Sequence, residues 1–310
     1  MTAKPSKLYG AFALSIAVAA LFTLLIGFLG RYLGRFVLPP DQGPWWYYWQ
    51  LAEPTILTRL SAWIPYILHQ ASVWALFFLL AKEKRPEGNG LGLSRLNIAA
   101  LLCNLGFMAL HLVQTQLFFD GLAQDVPVWS SQWSVIIMLV LILYMLAPRR
   151  GLILGFKQSW DARVRAFVRK WHGLYISWAI VYTFWFHPMV GDYGLLSGFF
   201  YMFLLFIQFS FARTKIHSAL GWIVVLEMMV GLHGPAIAIQ KMLDGFEGNG
   251  AFEPSSWIMF MTGFLFMFAF TGQYGLKLPK WARALVFILY GGLVVGLYAW
   301  RGLGKVYEIS

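Results

Sequence analysis

The stretch YGAFALSIAVAALFTLLIGFLG, residues 9–30, runs for 22 residues without a charge. At about 1.5 Å of rise per residue, a helix of that length crosses the roughly 30 Å hydrocarbon core of a bilayer. A single segment can do this only as a helix, because away from water each backbone amide and carbonyl must be paired within the segment. Lys4 and Lys7 precede the run, as in a secretory signal. Signal cores are only about 7 to 15 residues long, so the run is read as an uncleaved first span.

Working outward, eight more apolar segments follow at roughly 62–82, 96–119, 128–147, 171–190, 194–212, 216–239, 256–273 and 282–300. Composition agrees with this reading. The chain is 59% hydrophobic, 12% charged and has a mean hydropathy of +0.65, whereas soluble chains carry about 25% charged residues. The expected fold class is therefore all-α: a polytopic membrane helix bundle of about nine transmembrane helices, forming a single transmembrane domain over residues 1–310.

Charge sets the expected orientation. With the N-terminus in the cytoplasm and the C-terminus outside, 18 of the 24 basic residues fall in cytoplasmic segments and six outside. Nine of the 13 acids fall outside and three inside. Lys and Arg accumulate on the cytoplasmic side of membrane proteins, so this orientation is favoured over its inverse. Arg31 and Arg35 dissent, and their long stems allow them to snorkel to the headgroups. The net charge of +11 is accounted for by these loops and calls for no nucleic acid. The expected location is an inner or plasma membrane, with multiple passes.

Two connections stand out. Residues 39–61 hold Trp45, Trp46, Tyr47, Tyr48 and Trp49 ahead of Pro54, an aromatic set suited to the headgroup level on the outer side. Residues 148–170 hold Arg149, Arg150, Lys157, Arg163, Arg165, Arg169 and Lys170, a basic cytoplasmic loop whose spacing suits a cationic surface helix on anionic lipid headgroups. The expected partners are thus the lipid bilayer and those headgroups, and partner membrane subunits are compatible with the fold. The single cysteine, Cys103, permits no disulfide within the chain.

Ionisable side chains within a membrane are costly, which makes each one a candidate functional residue. His69, His111, His187 and His233 fall in four different spans, about 4, 6, 10 and 8 Å to the outer side of the midplane. They are the candidate ligands of a metal ion. His172 and His217 open the fifth and seventh spans, and Glu227 lies near the middle of the seventh. Asn97, Asn104, His111 and Thr115 lie within about 40° of one another on a helix. This polar stripe is expected to face the bundle interior, with Gln114 one turn away and able to orient the His111 ring. Ser61, Pro65, His69 and Ser72 form a similar face on the second span. There is no HExxH, GxSxG, P-loop or CxxCH, nor an HxxxH pair for a diiron site.

The segment from Arg169-Lys170-Trp171-His172-Gly173 to His187-Pro188 has a histidine near each end, and the segment from Arg213 through His217 and Gly221 to His233-Gly234 repeats the scheme. The layout resembles ferric-reductase-like and cytochrome b561-like membrane proteins, in which histidines on two such helices hold haem iron from both sides. The resemblance covers residues 169–234. It implies haem b with His187 and His233 as an outer axial pair and His172 and His217 as an inner pair. The separations here are 15 and 16 residues, where the family has 13 or 14. Sixteen residues turn a helix by about 160°, so a kink near Gly221 or Gly231 is needed to bring His217 and His233 to one face.

Four functional readings follow. The first is a redox protein binding haem b or a metal ion, with Glu227 moving protons. The second is a transporter or channel-like protein using Glu227 and the polar stripe. The third is an enzyme on a lipidic substrate, with a histidine as base, and the fourth an accessory subunit of a membrane complex.

Overall fold

A computed structural model describes residues 5–40, 49–83, 92–150, 157, 159–247 and 278–301. Eight helices account for most of these: α1 (Pro5–Gly30), α2 (Ile56–Lys82), α3 (Arg95–Phe118), α4 (Val128–Arg150), α5 (Ala162–Phe186), α6 (Tyr193–Ser210), α7 (Leu220–Glu247) and α8 (Lys280–Arg301). Among the described residues there is no β-strand. Five helical stretches are long and apolar enough to cross a membrane: residues 7–30 of α1, all of α2, α3 and α6, and residues 128–145 of α4. The expected eighth segment, 256–273, lies outside the described residues, as do residues 41–48 of the aromatic connection and most of 151–158 in the basic one.

Helix ends follow from local chemistry. Thr55 and Thr58 form a reciprocal capping box at the start of α2, and Ser94 with Asn97 does the same for α3. The Asp161 carboxylate accepts from the Arg163 and Val164 amides, and that of Asp192 from Leu195, at the starts of α5 and α6. Three expected helix starts need correcting. The second helix begins at Ile56 instead of about 62, because Thr55 and Thr58 cap it there, so residues 56–61 are helical and not part of the 39–61 connection. The fifth helix begins at Ala162 instead of about 171, because Asp161 supplies a cap there; Arg163, Arg165, Arg169 and Lys170 therefore lie on its first turns. The seventh begins at Leu220, so His217 belongs to the turn before it.

The chain divides into two compact units: residues 1–141 with 166–223, and residues 142–165 with 224–310. In the first, α2 packs on α3, α3 on α6, and α6 on α1. The α2 helix also meets α5, where the Trp178 indole donates to the Tyr66 hydroxyl and the Trp74 indole to the Leu174 carbonyl, both at 3.2 Å. The first half of α4 meets α5 through Ser130 and Tyr182, 2.7 Å apart. Phe184, Trp185, Phe186, Phe199, Phe203 and Phe211 are fully buried in this unit. By contrast, α1 presents Leu14, Leu21 and Leu24 outward, the last at 71% exposure. An apolar helix exposed in this way suits a hydrocarbon solvent. Lipid provides no hydrophobic drive between helices, so close packing and hydrogen bonds must hold such a bundle together. In the second unit, Tyr144 stacks on Trp160 with ring centroids 4.7 Å apart.

A buried polar column along the third helix

The stripe read on α3 does face inward: Asn97, Asn104, His111 and Thr115 are all buried. Each one anchors a different part of the bundle. At the N-terminal end, the Asn97 amide donates to the Ser210 and Ala212 carbonyls at 2.8 and 3.0 Å. These belong to the end of α6, where carbonyls lack helical donors.

Two turns on, a chain of hydrogen bonds runs across four helices. The Trp185 indole, which can only donate, gives its hydrogen to His69 Nδ1 at 3.2 Å. That nitrogen is therefore an acceptor, and His69 Nε2 carries the proton it gives to Asn104 Oδ1 at 3.0 Å. The Asn104 amide donates to Ser210 Oγ at 3.0 Å, and that hydroxyl donates to the Phe206 carbonyl at 2.8 Å. This direction fixes His69 as the neutral Nε2–H tautomer. The ring also stacks on Phe107 at 4.2 Å and is fully buried.

His111 is held differently. Its Nδ1 faces Gln114 Oε1 at 3.0 Å, and its Nε2 faces the Phe184 and His187 carbonyls at 3.0 and 2.9 Å. The Phe184 carbonyl is available because residue 188, its helical donor position, is proline and has no N–H. Gln114 cannot present its nitrogen to His111, since its Nε2 donates to the Asp120 carbonyl at 2.9 Å and to Ser61 Oγ at 3.1 Å. All three neighbours of the ring are thus acceptors. Only a ring with a proton on each nitrogen satisfies them all.

The C-terminal end of α3 continues the column. Thr115 Oγ1 accepts from the Met189 amide at 3.0 Å. The left-handed residue Phe119, with φ 47°, then turns the chain into Asp120. Asp120 is 1% exposed, and its Oδ1 accepts from the Gly121 amide at 2.8 Å. Burial pushes this carboxyl up from 3.8 to about 6, against the opposing pull of the Thr58 hydroxyl, the Gly121 amide and Arg59. Beyond it, Asp125 pairs with Arg59 at 3.0 Å and accepts from the Trp63 indole at 2.8 Å.

Backbone approach closes the same corner. A Cβ on Gly121 would lie 2.5 Å from the Phe186 carbonyl oxygen, and one on Gly30 would lie 2.8 Å from the Gly191 nitrogen. Residues 186–191 are therefore gripped by α1, α3 and the α3–α4 corner together.

The other candidates are placed as follows. His172, on α5, directs Nδ1 at the Arg169 carbonyl at 2.9 Å. His217 directs Nδ1 at the Gln208 carbonyl at 2.9 Å, and the Gln208 amide returns a bond to the His217 carbonyl. Because His217 precedes α7, the helical rotation expected between it and His233 does not apply. His187 lies one residue past α5, its ring 5.1 Å from that of Phe186. Glu227 and His233 are half-buried on α7 and belong to the second unit, whereas His187 belongs to the first. Among the described residues, no three His, Cys, Asp or Glu side chains converge to hold a metal ion. Both ring nitrogens of His69 and of His111 are engaged by protein partners.

Sequence reasoning missed Trp185 and Ser210, which complete the His69 chain, and Gly30, Gly121 and Gly191, which allow the close approaches. Pro188 was the one legible sign, since a proline four residues after Phe184 releases that carbonyl. No family model, no curated protein and no solved structure matches this chain.

Proposed function

We propose that this is a multi-pass protein of a plasma or inner membrane, crossing nine times with its N-terminus in the cytoplasm, and that it belongs to the proton-linked transporter or channel-like class. The observation that carries the reading is the cage of three acceptor oxygens around His111. A purely structural role inside a membrane calls for no ionisable side chain, because an apolar residue packs there at lower cost. In this reading His111 holds the proton, and Gln114 and Asp120 connect it toward the outer face. Glu227 supplies a second protonatable group on α7. The test is proton uptake into proteoliposomes driven by a potassium diffusion potential and followed by an internal pH dye. Uptake above that of empty vesicles, lost in His111→Gln, is the expected result. Uptake equal to that of empty vesicles refutes the reading.

A redox reading stands second, favoured by one observation. His172 and His217 each place Nδ1 against a backbone carbonyl, so Nε2 is the lone-pair nitrogen, as ligation of haem iron or a metal ion requires. A dithionite-reduced minus oxidised spectrum with metal analysis tests it. Bands of b type that are lost in His172→Ala and His217→Ala support it, and a sample free of both haem and metal ends it.

A further inference from the structure

We propose that the Gln114 amide is a two-position switch: the second proton on His111 sets it, and the α3–α4 corner at Asp120 and Gly121 responds. The inference rests on the reading of His111 as a proton-binding site and adds how that proton is communicated.

The argument starts from which proton leaves. His111 Nε2 serves two carbonyls, those of Phe184 and His187, whereas Nδ1 serves only Gln114 Oε1. A ring with one proton keeps it where two acceptors compete for it, so the proton lost is that on Nδ1. The bare nitrogen then faces an amide oxygen at 3.0 Å, lone pair against lone pair. Turning the Gln114 amide over cures this contact, because its nitrogen then donates to Nδ1. The same turn places its oxygen against the Asp120 carbonyl, now 2.9 Å from Nε2, and against Ser61 Oγ. The serine hydroxyl can rotate to donate. The Asp120 carbonyl cannot, and it loses its donor. One proton removed from His111 thus becomes one hydrogen bond removed from the corner.

The corner is built to register that loss. Gly121 abuts the Phe186 carbonyl with no room for a side chain. The Gln50 side chain reaches the Ala123 carbonyl, and Leu122 and Ala123 are buried. The titratable and charged groups around His111 are His69 on α2, Asp120 after α3 and His187 after α5, with Arg35, Arg59 and Asp125 toward the same end of the bundle. The α6 helix meets the ring with Phe199. His69 is fixed as a neutral tautomer by Trp185 and Asn104. Asp120 itself titrates at the corner, so a test must remove its carboxyl.

The experiment uses the full chain in detergent with Cys103→Ala, Asp120→Asn and Ala123→Cys, and reads maleimide labelling of residue 123 from pH 5 to 10. Each rate is divided by the rate in the same chain carrying Gln114→Met, which cancels the thiol's own titration. In parallel, ¹⁵N spectra of ring-labelled histidine report the protons on His111, assigned by the loss of its signals in His111→Gln. The expected result is a ratio that rises about tenfold as the second ring proton is lost, the factor that corresponds to one hydrogen bond. A flat ratio while the ring visibly loses its proton overturns the switch and leaves the proton-binding reading intact. A ring with one proton throughout removes that reading and the switch together. A ring with two protons up to pH 10 and a closed corner throughout also overturns the switch, leaving a static clamp.

Discussion

The chain of hydrogen bonds from Trp185 through His69 and Asn104 to Ser210 makes a quantitative demand on stability. Replacing His69 by leucine deprives the Trp185 indole of its acceptor and Asn104 Oδ1 of its donor. A buried polar group left without a partner costs about 1–3 kcal/mol, so His69→Leu is expected to cost about 2–6 kcal/mol. Asn104→Leu strands the His69 Nε2–H, while Ser210 still donates to Phe206, so it costs about 1–3 kcal/mol. In the double variant the bond between the two residues is already gone, and only the indole remains stranded. The two costs therefore fail to add by about 2–6 kcal/mol, the cost of the two groups that only the single variants strand. The assay is reversible unfolding in mixed micelles by titration with a denaturing detergent, followed by tryptophan fluorescence. Costs that add within about 0.3 kcal/mol, or a His69→Leu protein as stable as the parent, would refute the chain and with it the assigned tautomer.

Three further outcomes are expected. Asp120 has its carboxyl pushed up to about 6 by burial, so the folded chain holds that proton more tightly than the unfolded chain, and stability falls as pH rises from about 4 to about 6. Asp120→Asn removes that part of the pH dependence and gains about 1–3 kcal/mol at pH 7.5, read as a higher Tm there and little change at pH 4. Gly121→Ala forces a methyl against the Phe186 carbonyl oxygen and costs about 1–3 kcal/mol; a variant with the parent's Tm contradicts the close approach. Gln70 is 6% exposed and neither amide atom has a protein hydrogen-bond partner, so Gln70→Leu is expected to stabilise by about 1–3 kcal/mol, and a loss in the same unfolding assay contradicts that.

How far the sequence could be read depended on the range of the interaction involved. The apolar runs specify helices at α1, α3, α4 and α6 within a few residues, because backbone pairing in each is local, whereas α2 starts six residues before its apolar run, at Ile56. The inward face of α3 was legible for the same reason, since Asn97, Asn104, His111 and Thr115 repeat at helical spacing. The role of Gln114 beside His111 was legible too, one turn being enough to define it. What lies across the bundle was not. Nothing in the periodicity of α5 shows that Trp185 reaches His69, since that depends on how α5 sits against α2. Likewise, His69 and His111 read as candidate metal ligands until their neighbours on other helices are known. The start of α5 was missed because its first turns carry four basic residues, which mask the apolar pattern while Asp161 caps them.

The short connection between α5 and α6 also bears on how the protein is made. Three backbone groups of this connection, the Phe184 and His187 carbonyls and the Met189 amide, take partners outside their own hairpin. Each finds one on α3, at His111 and Thr115, and α3 has been synthesised about 70 residues earlier. The later hairpin is thus completed by a docking site that the chain has already made. In a circular permutant that begins with α5, that docking site would be made last.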